Sequence, residues 1–206
     1  ISLLAAVPNI ISVTPALPVN SLAELVALAK AKPGQLSYAS SGNGTSTHLA
    51  AELFKAAAGI DIAHIPYKGS APAVTDVIAG QVPVLVDSVA SSTAQVKAGK
   101  LKALATTSSK RLLVLPELAT VAESGYLGFQ STAWVGLLAP AGTPKAIVEQ
   151  INAAVLKVMA LPETRERMAG FGAEITTSTP DEFAAHIRSE MAKLGKVIRD
   201  ANIKVN

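Results

Sequence analysis

The feature of this sequence that most constrains its fold is the repeated alternation of short apolar runs with helical segments that end at glycine. The apolar runs predict four strands, Leu36–Ala39, Ile62–Ile65, Val82–Val86 and Leu101–Thr106. Strands that alternate with helices pair in parallel through right-handed crossovers, so the turns from strand to helix lie at one edge of one sheet. Open α/β sheets bind their ligands along that edge.

Segments on either side of these strands complete the predicted order. Two apolar runs, Ile1–Val7 and Ile10–Val13, predict two buried strands around a bend at Pro8-Asn9. The other predicted elements are helices over Leu22–Ala31, Ser46–Ala58, about 72–79 and about 91–98, a strand over Ser131–Ala139, helices from Pro144 to about Leu161 and from Pro162 to about Gly170, a short strand at Ile175, and a long helix from Pro180 capped by Thr179. Residues 107–130 are predicted to be a connecting stretch.

The composition restricts the partners that the protein can have. With 206 residues, half of them hydrophobic, the chain can bury one good core or two small ones. The net charge of +3 comes from scattered lysines and arginines, and the few aromatic rings give little surface for stacking bases, so we expect no nucleic-acid partner. The absence of cysteine excludes disulfides and zinc–thiolate sites. The three histidines have no metal-binding spacing, and we predict neither a metal nor a cofactor.

The N-terminal residues 1–23 carry no charge, which invites comparison with a membrane span. They are interrupted by Pro8, Pro15 and Pro18, so we interpret them as strand and loop. The sequence begins at Ile1 without an initiator Met or a basic leader, and we expect the true N-terminus to lie further upstream.

The segment Leu36–Leu49 passes abruptly from strand to helix through hydroxyl-bearing residues and glycines. Such a turn presents backbone N–H groups, hydroxyls and the positive end of a helix dipole to one point, which suits a carboxylate or a phosphate. An ordinary turn with Ser/Thr capping fits the same residues. Dinucleotide and hydrolase signatures do not fit, because Thr47 replaces the third glycine of one and Ala39 replaces the first glycine of the other.

Three other polar residues lie near predicted strand ends. His48 is in the first turn of its helix, where we expect a packed or capping residue rather than a general base. Lys68 lies in the second strand-to-helix turn, where it either neutralises a carboxylate or is solvated. Asp87 ends an apolar strand, where it either accepts from a ligand or caps the amides of residues 88–91.

Seven stretches of the sequence together match a known pattern. They are Tyr38–Leu49, Pro66–Ala73, Gly80–Val82 with Asp87, Leu101–Ala105, Thr120–Gly125, Leu138–Pro144 and Thr179–Phe183. In these stretches the chain resembles the periplasmic substrate-binding receptors of tripartite tricarboxylate transporters, often called Bug receptors. The matching stretches extend from one end of the chain to the other.

The resemblance implies an α/β fold of the type II periplasmic-binding-protein kind, a clamshell whose two lobes close on a small organic acid. It implies that carboxylate oxygens are held chiefly by backbone amides, hydroxyls and bridging waters. Carried onto this sequence, the binding residues are Ser41, Gly42, Asn43, Gly44 and Thr45 in a first turn, Lys68, Gly69 and Ser70 in a second, and Asp87 as a further residue of the cleft.

One part of the family pattern has no counterpart here. Family receptors begin with a strand and a Pro-Pro-Gly-Gly type turn that supply the other lobe's share of the grip. We therefore expect residues 9–129 to form a complete second lobe, with residues 1–8 and 130–206 as the hinge and the remnant of a partial first lobe.

The resemblance implies a non-enzymatic, periplasmic receptor that captures a di- or tricarboxylic acid or an acidic amino acid. Its implied partners are that small acid and the membrane permease subunits of the transporter, and we expect a monomer. Two other functions remain open from the sequence. One is an α/β enzyme that acts on an acyl or phosphorylated substrate through Ser41 or His48, and the other is a sensory or partner-binding domain.

Overall fold

The computed structural model describes residues 1–204 and contains two sheets that share one long strand. The strands are β1 (Ser2–Val13), β2 (Ser37–Ser40), β3 (Ala63–Pro66), β4 (Val84–Ser88), β5 (Lys102–Thr106), β6 (Thr132–Leu137) and β7 (Glu174–Ile175). The second half of β1 lies in a five-stranded sheet of order β3-β2-β4-β1-β5. Its first half pairs antiparallel with β6 and β7. The strand β1 therefore connects the two parts of the molecule.

Seven helices surround these sheets in the described part of the chain. They are α1 (Leu22–Ala31), α2 (Ser46–Ala58), α3 (Ser70–Ile78), α4 (Val89–Lys97), α5 (Lys145–Ala160), α6 (Pro162–Gly170) and α7 (Pro180–Asp200). Their ends follow local capping chemistry, since Ser21 caps α1, Thr179 and Glu182 form a capping box on α7, and Gly59 closes α2 in a left-handed conformation. Within residues 1–204, none of them has the length and apolar character needed to cross a bilayer.

The predicted parallel pairing is confirmed for β2 with β3 and for β2 with β4. It is wrong for β5, whose neighbour is β1 and whose pairing is antiparallel. The reason is that β1 inserts between β4 and β5 and runs antiparallel to both. β4 and β5 still point the same way, so the strand-to-helix turns lie at one edge as expected.

The two predicted N-terminal strands are a single strand, which corrects the expected bend at Pro8-Asn9. Pro8 is still paired with Thr132 in one sheet, whereas Asn9 is already paired with Ser88 in the other. Proline has no N–H to donate, so it fits where a strand leaves one set of hydrogen bonds and enters another. Pro8 marks the crossing point rather than a break.

The five-stranded sheet is packed on both faces. On one face, Leu25 of α1 and Phe54 of α2 pack against sheet residues that include Ile11 and Val84. On the other face, α3 packs through Val77 against Leu85 of the sheet. This packing fixes the N-termini of α2 and α3 at the edge where β2 and β3 end.

The second part of the molecule is less completely covered. In residues 1–204, β6 pairs only with β1, so its other edge has no strand beside it. Large apolar side chains are exposed on or directly after β6, α5 and α6: Val135, Leu138, Ile147, Val158, Leu161 and Phe171. The long helix α7 reaches across to the first part and packs against α2.

Candidate functional site

The candidate site lies at the edge of the five-stranded sheet where β2, β3 and β4 end. Each of these strands leads within a few residues into a helix, α2, α3 or α4. The first N–H groups of a helix have no partner within the helix, and the dipole makes this end positive. Three such helix ends at one edge are suited to binding an anion.

The first turn, residues 40–48, depends on two glycines with positive φ. Gly42 has φ +143° and Gly44 has φ +72°. A Cβ on Gly42 would also lie 3.1 Å from the carbonyl oxygen of Tyr67, which is tighter than most real contacts. Only glycine fits the first of these positions without strain, because both the backbone conformation and the close approach exclude a side chain.

The first and second turns form one surface because backbone hydrogen bonds join them. The N–H of Tyr67 donates to the carbonyl of Ser40 at 3.1 Å, and the N–H of Gly69 donates to the carbonyl of Ser41 at 3.0 Å. Gly69 itself has φ +110° and precedes α3. The structure thus brings together the two turns that the sequence predicted separately.

Several amides of the first turn are already bonded within the protein. The N–H of Ser41 donates to Thr47 Oγ1 at 3.0 Å, that of Gly42 to Ser40 Oγ at 3.2 Å, and that of Gly44 to His48 Nδ1 at 3.0 Å. The N–H of Asn43 has no partner within residues 1–204, and the N-cap residue Thr45 makes no side-chain cap to α2. Asn43 N–H and the first amides of α2 are the donors that remain for a ligand.

The side chains of the first turn are partly engaged with one another. Ser41 Oγ lies 2.8 Å from Thr47 Oγ1 and 3.3 Å from Thr45 Oγ1. The exposed Asn43 side chain donates through Nδ2 to the carbonyl of Lys204. The Ser41 hydroxyl is bonded to threonine hydroxyls and not to an imidazole, so the geometry does not support an activated nucleophile.

Lys68 lies on the second turn and is exposed. In the described residues it takes part in no ion pair. Its ammonium group is therefore not compensated by a carboxylate of the described residues, and Lys68 belongs to the turn that enters α3.

Asp87 binds two neighbouring serine side chains rather than the amides that follow it in the chain. It is fully buried and accepts from Ser70 Oγ at 2.6 Å and from Ser92 Oγ at 3.2 Å. It does not cap the amides that follow it, since Ser88 Oγ accepts the Ser91 N–H. Asp87 therefore holds Ser70, the first residue of α3, against α4.

Sequence reasoning did not identify two other groups beside the site. His64, on β3, stacks on His48 with ring centroids 3.8 Å apart and lies 2.7 Å from Ser40 Oγ through Nε2. Asn9 is fully buried where β1 crosses between the sheets, and neither polar atom of its side chain has a hydrogen-bond partner within residues 1–204. An unpaired buried amide carries a desolvation cost, and Asn9 faces Ser88 across the ladder at the candidate edge.

The two stacked histidines are held as neutral bases. Burial is the main cause that lowers the pKa of His48, and the charge of Glu52 opposes this shift. Burial, with a smaller contribution from the neighbouring charge of His48, lowers the pKa of His64 to about 4. His48 is a buried residue that accepts from the turn backbone, which confirms the packed or capping role expected for it.

No metal site is present among residues 1–204, since no group of three or more potential ligands is clustered there. An α/β fold with two sheets joined by a crossing strand, and with helix N-termini gathered at one edge, is the arrangement expected of a solute-binding protein. Residues 1–203 match the family described as "Tripartite tricarboxylate transporter family receptor" (TctC). The chain belongs to this family.

Curated relatives are similar along the whole chain. A UPF0065 protein from the tcbD-tcbE intergenic region of Pseudomonas sp. strain P51 is 37% identical over 99% of this chain and 61% of its own length. Protein BugT of Bordetella pertussis is 33% identical over 100% of this chain and 63% of its own length. The chain thus spans about three fifths of the length of these relatives.

Solved structures show the same fold. R. palustris Rpa4515 with adipate has 37% identity and a TM-score of 0.86, over 98% of this chain and 67% of that one. The periplasmic binding protein BugD has 34% identity and a TM-score of 0.83, over 99% and 69%. MatC from Rhodopseudomonas palustris with bound malate has 28% identity and a TM-score of 0.79, over 96% and 68%. The predicted fold is confirmed, with about two thirds of these chains represented.

The family match also decides between two functions considered from the sequence, a solute-binding receptor and an enzyme. The family and its solved members are solute-binding receptors and not enzymes. The prediction of a non-enzymatic protein is confirmed on that ground, and catalysis by Ser41 or His48 is rejected.

Proposed function

We propose that this chain forms the greater part of a periplasmic receptor that binds a small carboxylate at the joined turns 40–48 and 66–70. The observation that carries the proposal is the set of unengaged donors at this edge: the Asn43 N–H and the first amides of α2 and α3. Backbone donors at helix N-termini stabilise an anion without a fixed cationic partner.

The ligand class follows from the chemistry of these donors. Amides and hydroxyls bind a carboxylate oxygen well, and Lys68 adds a cation at the rim of the same surface. Two structurally similar proteins carry adipate and malate, which are both dicarboxylates. We propose a di- or tricarboxylic acid or an acidic amino acid as the ligand.

In this proposal the nine predicted site residues have two kinds of role. Residues 41–45 form the turn that presents the donors, and residues 68–70 form the second turn. Asp87 is proposed to act through Ser70, whose hydroxyl donates to its carboxylate. Asn9 is a further polar group near the same edge, but its buried side chain does not reach the surface that the two turns present.

We further propose a division into two lobes, with residues 9–129 as one complete lobe. Residues 1–8 and 130–206 would belong to the other lobe and the hinge, although residues 205–206 lie outside the described part. The open edge of β6 and the apolar side chains around it are consistent with a lobe that is only partly represented. The part of the relatives that this chain does not span would cover that surface.

The partner and compartment follow from the family. A receptor of the tripartite tricarboxylate transporter family would deliver its acid to the membrane permease subunits of the transporter in the periplasm. The expectation of a monomer remains a prediction.

Calorimetry on the complete protein tests the proposed ligand class. Adipate, malate and aspartate are titrated, with the neutral diamide of adipic acid as the control. We expect at least one acid to bind and the diamide not to bind. If none of the acids binds, or if the diamide binds as well as the acids do, the proposal is wrong.

A pair of lysine variants locates the site. Lys68→Met should weaken binding by about two- to fivefold and reduce its salt dependence, since Lys68 lies at the second turn. Lys97→Met removes another exposed lysine, at the C-terminal end of α4, and should leave binding unchanged.

A further inference from the structure

The first turn rests on a cluster of five side chains, here called the histidine cluster: Tyr38, His48, Glu52, Lys55 and His64. They come from β2, α2 and β3, which are the elements that carry the turn. His64 stacks on His48 with centroids 3.8 Å apart and on Tyr38 with centroids 4.9 Å apart. The rings of Tyr38, His64 and His48 are therefore stacked on elements that carry the first turn.

His48 contacts the turn through a hydrogen bond that determines which of its ring nitrogens carries the proton in the neutral form. Its Nδ1 accepts the N–H of Gly44 at 3.0 Å, so Nδ1 carries no proton and the neutral ring has its proton on Nε2. That Nε2 lies 4.0 Å from Glu52 Oε1. Protonation of the ring would place an N–H against the Gly44 N–H, with two donors facing each other.

The charges around His48 do not favour its cationic form strongly. Glu52 Oε1 already accepts from Tyr38 Oη at 2.6 Å and from Lys55 Nζ at 2.8 Å, so its charge is partly compensated. Glu52 and Lys55 also line a cavity of about 520 Å³ shared with α7, whose charged lining residues are Lys193, Lys196 and Asp200. The buried ring faces His64 on its other side.

The second histidine supports the same turn from β3. Ser40 Oγ lies 2.7 Å from His64 Nε2 and accepts the N–H of Gly42 at 3.2 Å. Each glycine of the turn is therefore held through one histidine, Gly44 directly by His48 and Gly42 through Ser40 by His64.

We infer that neutral His48 is a positioning residue for carboxylate binding: by accepting the Gly44 N–H while stacked on His64, it holds the turn so that the Asn43 N–H and the first amides of α2 face the ligand. This inference rests on the proposed function. Protonation of His48 removes the acceptor and loosens the turn, so carboxylate affinity falls as the pH becomes acidic.

The sign of this effect distinguishes it from simple electrostatics. A protonated histidine near an anion site would strengthen carboxylate binding at low pH by direct attraction. Loss of the Gly44 acceptor weakens it instead. The pH dependence of affinity therefore separates a positioning role from a direct charge role.

Two variants of the complete protein separate the acceptor from the stacked ring. His48→Phe keeps a flat ring for His64 but removes the acceptor, whereas His48→Asn places an oxygen acceptor near the position of Nδ1 and does not titrate. Amide hydrogen exchange of Gly44, measured without ligand, reports the hydrogen bond itself. We expect protection of Gly44 to fall by about fivefold or more in His48→Phe and to be largely retained in His48→Asn.

The binding arm measures adipate affinity from about pH 7 to about pH 4.5 in the wild type and in His48→Asn. The titration of the acid is common to both proteins, so we expect the wild type to lose more affinity than the variant as pH falls. Equal pH dependence, tighter wild-type binding at low pH, or unchanged Gly44 exchange in His48→Phe would overturn the inference. If no acid binds at any pH, the proposed function fails, and Gly44 exchange still decides the role of His48.

Discussion

Gly42 illustrates how a single residue determines the shape of the candidate site. A residue with a side chain rarely adopts its φ of +143°, and a Cβ at this position would also crowd the Tyr67 carbonyl oxygen at 3.1 Å. Gly42→Ala should destabilise the protein by about 1–3 kcal/mol and weaken carboxylate binding, because the added Cβ strains the backbone and displaces the adjoining second turn slightly. Urea unfolding and calorimetry measure both effects.

The matched control for this variant is Gly80→Ala. Gly80 also has a positive φ, +77°, but nothing lies within 4 Å of its Cβ position and it is remote from the turns in the chain. Gly80→Ala should lose some stability and keep its affinity. A Gly42→Ala protein with unchanged affinity would contradict the assignment of the first turn.

Asp87 is predicted to act through Ser70 and not on the ligand. Asp87→Asn weakens charge-assisted bonds in a buried site and should cost about 1.5–3 kcal/mol of unfolding free energy. Ser70→Ala should cost about 1 kcal/mol, and the double variant should lose less than the two costs combined. Urea unfolding of the three variants gives this comparison.

Asp61→Asn is the control for the loss of one negative charge. Asp61 is exposed, and its replacement should change stability by no more than about 0.5 kcal/mol. Strict additivity of Asp87→Asn and Ser70→Ala would show that the two side chains do not cooperate.

At the scale of elements, the sequence predicted the helices better than the strands. Helix ends are set by neighbours in the chain: Gly59 closes α2 and Thr179 caps α7 as expected, and Ser21 caps α1. The course of β1 could not be read locally, because it depends on partners more than 70 residues away in β4, β5 and β6. Two apolar runs around Pro8 look the same whether the strand breaks or crosses between sheets.

The candidate site shows the same limit. Glycines and hydroxyls identified the first turn, but they did not indicate which amides remain free. That depends on side chains placed by tertiary structure, such as Thr47 and His48, which take the amides of Ser41 and Gly44. The stacking of His64 on His48 joins two elements and has no local signal in the sequence.

His64 lies in the unit formed by β2, α2 and β3, and it should make the free energy of unfolding depend on pH. Its pKa is lowered to about 4 in the fold, against an ordinary value of 6.5. Between these values the unfolded chain binds more protons, so unfolding free energy falls as pH drops from about 6.5 to about 4. The slope from this imidazole is at most about 1.4 kcal/mol per pH unit.

Urea unfolding between about pH 6.5 and pH 5 measures this slope while most carboxylates remain ionised. His64→Gln cannot titrate in this range and should give a shallower slope than the wild type. Equal slopes in the two proteins would show that His64 does not bear the expected linkage.

At the scale of the whole molecule, β1 is the element that relates the two parts. Its first half belongs to the sheet with β6 and β7, and its second half ends in the sheet that carries the turns. The helix α7 adds a second connection by packing on α2. In the proposed clamshell, any movement of the lobes must be accommodated at these connections.

A crystal structure of the complete protein with adipate or malate tests the central claim most directly. The account predicts that one carboxylate of the acid accepts hydrogen bonds from the Asn43 N–H and from the first amides of α2, next to the second turn. A bound acid held elsewhere, with the amides of this edge unoccupied, would contradict it.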